Sequence, residues 1–412
     1  MKSSKLMRVI AVMLLVMTMM TSLTSCVFDF GFNFEEYIPD FDYEGNFGGN
    51  IPNIDENNDV TSDNYGEFYP GSGKDDVSGI SPLSKTLLST VTIICGNNQS
   101  ASAGSGVIYS VDKEKGDAYI ITNCHVLYGS GKAVANDIKV YLYGMEISSY
   151  AIPATFVGGS ITYDIALIKI TGSEVLKNSY ATAVSFEDSD NVRVFDKVYA
   201  VGNAEGGGLS ATEGIVSVTS ENISLTGADG SVISIRVMRI DAAVNHGNSG
   251  GGLYDEKGRF IGIVSAKEVS EDIDNMGYAI PSDLVGRLAK SIIYHCDGKS
   301  ETQINKALMG ITISSFVTGL QVDPEGDVYE VELVEVTEIA EGSLAEGKVL
   351  VGDVINSITV DGVKTEVTRI HHVTEAMLDA KLGSQVVLNI NRDGKVMNIS
   401  LTVPESAITV VK

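Results

Sequence analysis

Between residues 80 and 280 the sequence is a succession of short β-branched runs, each separated from the next by Gly, Asn or Asp. The runs lie at residues 91–95, 106–111, 118–122, 138–142, 165–170, 198–202, 214–219, 232–240 and 260–265. Many short strands at regular spacing are typical of an antiparallel barrel or sandwich. Because one small barrel would not use about 200 residues, two barrels packed together fit this region better. The start signal Pro281-Ser282 and the apolar spacing that follows it predict a closing helix.

The strand pattern restarts after residue 298. Runs near residues 310–314, 329–336, 354–360, 386–391 and 396–403 surround one helix expected at about residues 370–381. This arrangement predicts a compact α+β module of roughly 100 residues. The fold class is therefore mainly β, with a double β-barrel followed by an α+β domain. We assign residues 81–298 to the first domain and residues 300–405 to the second.

The first residues read as an export signal. Lys2, Lys5 and Arg8 precede an apolar run at residues 9–20, which is shorter than the roughly 20 residues that a membrane-spanning helix needs. The sequence Leu23-Thr24-Ser25-Cys26 then resembles a bacterial lipobox, in which the cysteine thiol receives a lipid. We predict a lipoprotein signal peptide at residues 1–25 and an exported protein anchored through Cys26 to the outer face of a bacterial membrane. An ordinary secretory signal is the alternative.

Residues 26–80 form an acidic segment. Residues 27–80 carry 13 acidic side chains and one basic one, and Gly, Asn, Asp and Ser dominate without a periodic pattern. This composition predicts a disordered tether. Its many aromatic residues leave open a docking role.

The whole chain has a formal net charge of −25, and a surface that acidic repels phosphate backbones, so nucleic acid is not an expected partner.

Three short stretches carry catalytic chemistry: Thr122-Asn123-Cys124-His125-Val126, Tyr163-Asp164-Ile165 and Gly247-Asn248-Ser249-Gly250-Gly251. A serine is a weak nucleophile unless a base lies within hydrogen-bond reach, and histidine suits that role at neutral pH. A buried carboxylate fixes the imidazole tautomer. The order His, Asp, Ser matches double-barrel serine proteases. The α/β-hydrolase nucleophile elbow is excluded because the serine precedes a predicted hairpin and the order of the three residues differs.

Together these motifs resemble the HtrA (DegP-like) family of trypsin-fold serine proteases with a C-terminal PDZ domain. Further support comes from Gly104-Ser105-Gly106-Val107, Val201-Gly202-Asn203, Thr212-Glu213-Gly214-Ile215-Val216-Ser217, Asp241-Ala242-Ala243 and Tyr278-Ala279-Ile280-Pro281. The resemblance implies that His125 is the general base, Asp164 its orienting carboxylate and Ser249 the nucleophile. It implies an oxyanion hole formed by the N–H groups of Gly247 and Ser249.

The resemblance also indicates a specificity pocket formed by Ala243, Val264, Ser265 and Ala266. Trypsin-fold enzymes that cut after Lys or Arg carry an acid six residues before the serine, where this chain has Ala243. We therefore expect a preference for small or medium aliphatic side chains. The chain departs from the family at His246 and Gly252, where proline is usual. Neither change removes a catalytic group.

In the C-terminal domain, Leu308-Met309-Gly310-Ile311 resembles the PDZ loop whose N–H groups capture the carboxylate of a peptide C-terminus. The predicted helix at residues 370–381 would form the wall of the groove, with Val373, Met377 or neighbouring residues contacting peptide side chains. His371 and His372 are expected to face water. The resemblance implies unfolded or misfolded proteins as substrates and a homotrimer as the assembly.

We expect an ATP-independent serine endopeptidase that degrades damaged exported proteins through an acyl-enzyme. The alternative is a peptide-binding chaperone or adaptor whose proteolysis is latent or lost. We expect no cofactor and no metal, since His295-Cys296 has no second ligand pair at zinc-like spacing. Cys124, next to His125, is expected to be a buried inert thiol. A disulfide between Cys95 and Cys124 stays open, because geometry decides it.

Overall fold

The computed structural model describes residues 79–97, 100–128, 133–145, 150–265, 276–300, 302–324 and 326–411. The predicted signal peptide, Cys26 and nearly all of the predicted tether lie outside these ranges. Within the described residues, no helix is both long enough and apolar enough to cross a membrane.

The first half of the N-terminal region is a seven-stranded antiparallel sheet. Its strands are β1 (Thr90–Asn97), β2 (Ser100–Asp112), β3 (Asp117–Thr122), β4 (Asp137–Leu142), β5 (Ile152–Pro153), β6 (Thr155–Ser160) and β7 (Ile165–Ile170). They lie in the order β5-β4-β1-β2-β3-β7-β6. The C-terminal end of β3 lies next to the start of β7, because these two strands pair antiparallel with Thr122 opposite Ala166. That adjacency brings the residues just after β3 close to those just before β7.

The second half is a closed six-stranded barrel. Its strands are β8 (Lys197–Gly202), β9 (Ser210–Thr226), β10 (Val232–Ile240), β11 (Gly252–Asp255), β12 (Phe260–Ser265) and β13 (Gly277–Pro281). Their order around the barrel is β10-β13-β12-β11-β8-β9. The mainly β trypsin-like architecture predicted from the sequence is confirmed.

The two halves share one apolar core. Val107, Ile121 and Leu167 of the first sheet belong to the same buried cluster as Ile263 and Ile280 of the barrel. A second cluster on the other side of the first sheet is built largely from isoleucines and valines of β1 to β4 and β7. Burying these branched side chains removes apolar surface from water, which stabilises each half and the contact between them.

Five helices connect the described strands: α1 (Pro82–Ser89), α2 (Cys124–Tyr128), α3 (Glu174–Lys177), α4 (Ser282–Cys296) and α5 (Ile370–Ala376). Helix α4 is the predicted closing helix, and it buries Leu284, Leu288 and Ile292 in the shared core. The sequence analysis missed α1. Its start is fixed by Ser81, whose hydroxyl oxygen accepts the N–H of Ser84, and by proline in the first turn.

The cysteines of the described region carry reduced thiols. Cys95, Cys124 and Cys296 are all buried and none forms a disulfide, which answers the question left open for Cys95 and Cys124. The Cys124 thiol donates to the carbonyl oxygen of Ile165 at 3.2 Å. This buried, hydrogen-bonded position is the one expected for it.

The C-terminal module, residues 302–411, has eight strands. They are β14 (Ile304–Ala307), β15 (Ile311–Val322), β16 (Val328–Ile339), β17 (Val354–Val360), β18 (Val363–Glu366), β19 (Gln385–Arg392), β20 (Lys395–Thr402) and β21 (Ile408–Val411). The main sheet has the order β15-β16-β17-β19-β20, β18 pairs with β17, and β14 pairs with β21. Strand β15 is therefore an edge strand.

Helix α5 differs from its prediction in three respects. It ends at Ala376, because Leu378 and Asp379 donate to the carbonyls three residues back and close a tight turn. Val373 and Met377 are fully buried in the core of the module, so the expected peptide contact is left to neighbouring residues rather than to these two. The expectation that His371 and His372 face water is also wrong, since both side chains are about nine-tenths buried.

Both histidines lie where the C-terminal module contacts the barrel side of the protein. We call this contact the module interface. It is defined by four sets of charged contacts: Arg236 with Glu375, Arg193 with Asp323, Arg287 with Asp379, and Asp190 with His371 and His372. Arg236 and Glu375 form a buried bidentate pair with N···O distances of 2.5 and 2.8 Å.

Candidate active site

His125 and Asp164 form a hydrogen-bonded pair at the edge of the first sheet. His125 lies on α2, three residues after β3 ends, and Asp164 immediately precedes β7. Nδ1 of His125 is 2.7 Å from Oδ2 of Asp164, and the backbone N–H of His125 donates to Oδ1 at 3.0 Å. An ionised carboxylate only accepts hydrogen bonds, so the ring proton lies on Nδ1. Nε2 is then left as a base.

The backbone of Asp164 is held in an uncommon conformation. Its φ of 51° lies in the left-handed region, which non-glycine residues seldom adopt. The Asn123 side-chain amide donates to the carbonyl of Asp164 at 2.9 Å, and the N–H of Cys124 donates to the same oxygen at 3.3 Å. These contacts stabilise the strained turn that aims the buried carboxylate at His125. Sequence reasoning did not assign this role to Asn123, although its position two residues before His125 was a signal.

Ser249 lies in the loop between β10 and β11 and is mostly buried. The loop is tightly hydrogen-bonded: the N–H of Gly251 donates to the carbonyl of Asn248, and the N–H of Gly250 donates to the carbonyl of Val264, both at 2.9 Å. The carbonyl of Ser249 accepts the N–H of Ser105 from β2 at 2.8 Å. The Ser249 loop of the barrel is thus joined directly to the sheet that carries His125 and Asp164.

At Gly247, which is predicted to form part of the oxyanion hole, hydrogen bonds of the neighbouring peptide groups define the direction of the backbone N–H. The carbonyl of His246 accepts the N–H of Glu205 at 2.8 Å. In a trans peptide the C=O and the next N–H point in opposite directions, so the N–H of Gly247 points away from the loop at Glu205. Gly247 has a φ of 91°, and an added Cβ would lie 2.1 Å from the carbonyl oxygen of Asn203. Only glycine fits this position.

The predicted specificity-pocket residues occupy different environments. Ala243 is exposed, and its carbonyl accepts the Thr212 hydroxyl at 2.8 Å. The Val264 side chain is buried in a core cluster of the barrel, so Val264 is available to a pocket only through its backbone. Ser265 is buried, and its hydroxyl has no hydrogen-bond partner among the described residues. Ala266 lies outside the described residues.

The loop predicted to capture a peptide carboxylate is only partly available. The N–H of Leu308 donates to the carbonyl of Ala407 at 2.8 Å, and the Met309 side chain is buried in the module core. Gly310 has a φ of 73°, and a Cβ there would lie 2.2 Å from Cβ of Ser343. Ile311 begins the edge strand β15. Any carboxylate contact therefore falls to the backbone after Leu308.

Buried ionisable groups with shifted pKa values lie at and beside the module interface. Burial lowers the pKa of His371 below the usual range of histidine, and the Asp190 carboxylate opposes this change. Burial opposes ionisation of Asp190, but its contacts with His371 and His372 prevail and hold its pKa well below the usual range. Burial and the neighbouring Asp188 carboxylate raise the pKa of Asp283 to about 7, against a hydrogen bond from Ser189.

Two groups at this interface have metal-ligand chemistry: Asp190 with His371 and His372, and Asp188 with Asp190 and Asp283. The N–H of Thr368 donates to Nδ1 of His372 at 3.2 Å, which places the ring proton on Nε2. That Nε2 lies 3.0 Å from Asp190, so the nitrogen facing the group carries a proton and has no lone pair for a metal. The expectation that the chain takes no metal stays a prediction.

The paired His and Asp of an antiparallel sheet, with a serine loop from an adjoining barrel, define a trypsin-like serine peptidase domain. The family described as "Trypsin-like peptidase domain" matches residues 104–263. The Serine protease Do-like HtrA of Bacillus subtilis is 34% identical over 72% of this chain and 62% of its own length. The protein of that name from Lactococcus lactis subsp. lactis is 31% identical over 72% of this chain and 69% of its own.

A solved structure described as HtrA-type protease AlgW with tripeptide superimposes with a TM-score of 0.53 at 26% identity, covering 80% of this chain and 96% of the other. The chain belongs to the HtrA family of serine proteases. It spans less than two thirds of the length of the Bacillus subtilis relative.

Proposed function

We propose that this protein is an HtrA-type serine endopeptidase that hydrolyses peptide bonds without ATP through an acyl-enzyme. The observation that carries the proposal is the 2.7 Å contact between His125 Nδ1 and the buried Asp164 carboxylate, beside the ordered Ser249 loop. A histidine held in this tautomer has its Nε2 lone pair available as a general base.

In the proposed mechanism, His125 removes the proton of the Ser249 hydroxyl as its oxygen attacks the scissile carbonyl. Asp164 stays ionised and stabilises the imidazolium that forms. The N–H groups of Gly247 and Ser249 donate to the oxyanion of the tetrahedral intermediate. His125 then gives its proton to the leaving amine, and water attacks the acyl-enzyme to release the second product.

The proposed substrates are misfolded or damaged exported proteins, in which extended segments are exposed. The C-terminal module is proposed to be a PDZ domain that binds peptide C-termini. Its edge strand β15 supports this role, because an edge strand has unpaired backbone groups that an extended peptide can pair with. Peptide recognition at Leu308–Ile311 would then use the N–H groups of Met309, Gly310 and Ile311.

The proposed assembly is a homotrimer, exported and held at the outer face of a bacterial membrane through a lipid on Cys26. Family resemblance supports the trimer, and the lipobox-like sequence before Cys26 supports the anchor. Light scattering of the purified chain tests whether it forms a trimer.

The decisive experiment compares the full chain with Ser249→Ala and His125→Ala. Each is incubated with unfolded casein and with a fluorophosphonate probe, with and without a peptide ending in a free apolar carboxylate. We expect labelling and cleavage by the parent chain, neither by Ser249→Ala, and stimulation by the peptide. Ser291→Ala, a buried serine on α4, is the matched control and should retain both. If the parent chain neither labels nor cleaves, the endopeptidase proposal fails, and a peptide-binding chaperone or adaptor replaces it.

A further inference from the structure

Ser105 in β2 makes four hydrogen bonds that converge on the catalytic loops. Its hydroxyl donates to the carbonyl of Gly247 at 2.7 Å and accepts the N–H of Asn203 at 2.8 Å. Its N–H donates to the carbonyl of Ser249 at 2.8 Å, and its carbonyl accepts the Thr122 hydroxyl at 2.7 Å. The residue has no exposed surface. All of its main-chain and side-chain hydrogen-bonding groups are thus committed to segments around the site.

These partners come from both halves of the peptidase domain. Thr122 ends β3 and precedes His125 by three residues, whereas Gly247 and Ser249 belong to the barrel. Asn203 follows β8, and its loop contains Glu205, which holds the carbonyl of His246. Ser105 therefore connects the segment that carries the base to the loop that carries the nucleophile.

The hydroxyl of Ser105 acts on a glycine of the loop, a residue whose conformation is little restricted by its own chemistry. Glycine populates positive and negative φ with similar ease, so nothing intrinsic keeps Gly247 at its φ of 91°. The peptide before Gly247 is fixed by the contact from Glu205 to the His246 carbonyl. The peptide after Gly247 is fixed by Ser105. With both planes fixed, the direction of the Gly247 N–H is fixed as well.

We propose that Ser105 is a positioning residue for the oxyanion hole: its hydroxyl, bridging Asn203 and Gly247, holds the Gly247 N–H in the direction that binds the oxyanion. The proposal rests on the endopeptidase function proposed above. A serine suits this place because one hydroxyl both donates and accepts. Removing it leaves a buried carbonyl and a buried N–H without their partner, which costs more than the bond itself contributes.

The test compares the full chain with Ser105→Ala and Ser105→Cys, where the thiol keeps a similar volume but is a weak donor. Ser282→Ala is the matched control, because that buried hydroxyl also donates to a backbone carbonyl, at Glu187, away from the loop. Hydrogen–deuterium exchange is measured for residues 203–206 and 246–250. The values of kcat and KM for a peptide ester, and the pH profile of kcat/KM, are measured in parallel.

We expect faster exchange in both segments for the two Ser105 variants and not for Ser282→Ala. We expect kcat to fall about tenfold to hundredfold in Ser105→Ala, less than the loss of a whole oxyanion donor, with KM nearly unchanged. The apparent pKa of the base should not move, because the His125–Asp164 pair is intact.

Unchanged exchange in these segments overturns the proposal, and so does unchanged kcat when the folded fraction equals that of the parent chain. A fall in kcat accompanied by a shift of the base pKa also overturns it, since that result would place the defect at His125. If the parent chain does not cleave at all, the endopeptidase function fails and the exchange data alone decide the role of Ser105. If Ser105→Ala does not fold, Ser105→Cys carries both measurements.

Discussion

At the scale of single residues, Gly252 shows how this chain accommodates a departure from its family. The resemblance places proline at position 252. Here an ideal Cβ on Gly252 would lie 2.4 Å from two ring atoms of Tyr254, which packs against it. The Tyr254 ring is buried, and its hydroxyl contacts the Thr90 hydroxyl at 2.9 Å. Burial raises the pKa of Tyr254 to about 12, so the phenol stays neutral. Glycine therefore makes room for a large buried side chain.

We predict that Gly252→Ala destabilises the protein by about 1–3 kcal/mol, because the added methyl group overpacks the site and displaces the Tyr254 ring. Chemical denaturation followed by fluorescence measures the free energy of unfolding. Gly319→Ala is the control, since among the described residues, apart from its two chain neighbours, no atom lies within 4 Å of an ideal Cβ at that glycine. Replacing Tyr254 with leucine in the Gly252→Ala background should relieve the overpacking. Equal stability of Gly252→Ala and the parent chain would contradict this account.

The candidate catalytic residues could be proposed from the sequence because their motifs are local. His125, Asp164 and Ser249 are each flanked by distinctive neighbours, and the order along the chain argues against the α/β-hydrolase nucleophile elbow. The role of Ser105 could not be predicted in this way. It depends on a hydroxyl reaching a carbonyl 142 residues further along the chain, and only the packed structure brings the two together.

At the scale of elements, several strands that are rich in β-branched residues were predicted to the residue. The runs at β7, β10, β12 and β17 coincide with the observed strands. Strand β6 was missed because its sequence, Thr-Phe-Val-Gly-Gly-Ser, contains two glycines, and pairing with β7 determines its conformation. Strands β14 and β21 were missed because each is only four residues long and depends on the other.

Helix α5 of the C-terminal module contacts the barrel side of the protein through ionisable side chains. His371 on this helix faces the Asp190 carboxylate, and the charges of Arg236 and Glu375 and the ring of His372 act on it as well. Because burial holds the pKa of His371 below its ordinary value of 6.5, the docked module disfavours the protonated ring. The contribution of His371 to docking is complete above pH 6.5 and declines as the pH falls below that value.

We predict that acidification from pH 7.5 to pH 5.5 weakens the module interface. The low pKa of Asp190 does not contribute in this window, because that carboxylate stays ionised throughout. The raised pKa of Asp283 acts in the opposite direction, because its protonation on acidification removes a buried charge, so only His371 accounts for a weakening. Small-angle scattering should show a larger radius of gyration at pH 5.5, and amide exchange in α5 should be faster. His371→Ala should lose this pH dependence, whereas His246→Ala, on an exposed loop, should keep it. A radius independent of pH in the parent chain would refute the prediction.

At the scale of the whole molecule, the acidic excess is unevenly distributed. Residues 27–80 contribute 13 acidic and one basic residue to a chain whose formal net charge is −25. A segment of that charge is repelled by anionic lipid surfaces, so attachment to a membrane would depend on the lipid rather than on the protein surface.

We therefore predict that Cys26→Ser moves the protein from the membrane fraction to the soluble fraction of a bacterial host. The serine hydroxyl cannot replace the thiol as the site of lipid attachment, and no charge attraction would compensate. Fractionation followed by mass spectrometry of the N-terminal peptide measures the location and the lipid. Cys95→Ser, which changes a buried free thiol, is the control and should stay with the membrane. Membrane retention of Cys26→Ser would contradict the anchor.

The division of the site between two halves also determines the order in which its parts form during synthesis. His125 and Asp164 lie beside strands β3 and β7 of the first sheet, which leaves the ribosome first, whereas the Ser249 loop is completed only when β12 and β13 close the barrel around residue 281. A chain still being made therefore holds the His125–Asp164 pair before the Ser249 loop is in place. The candidate site is complete only after more than two thirds of the polypeptide has been synthesised.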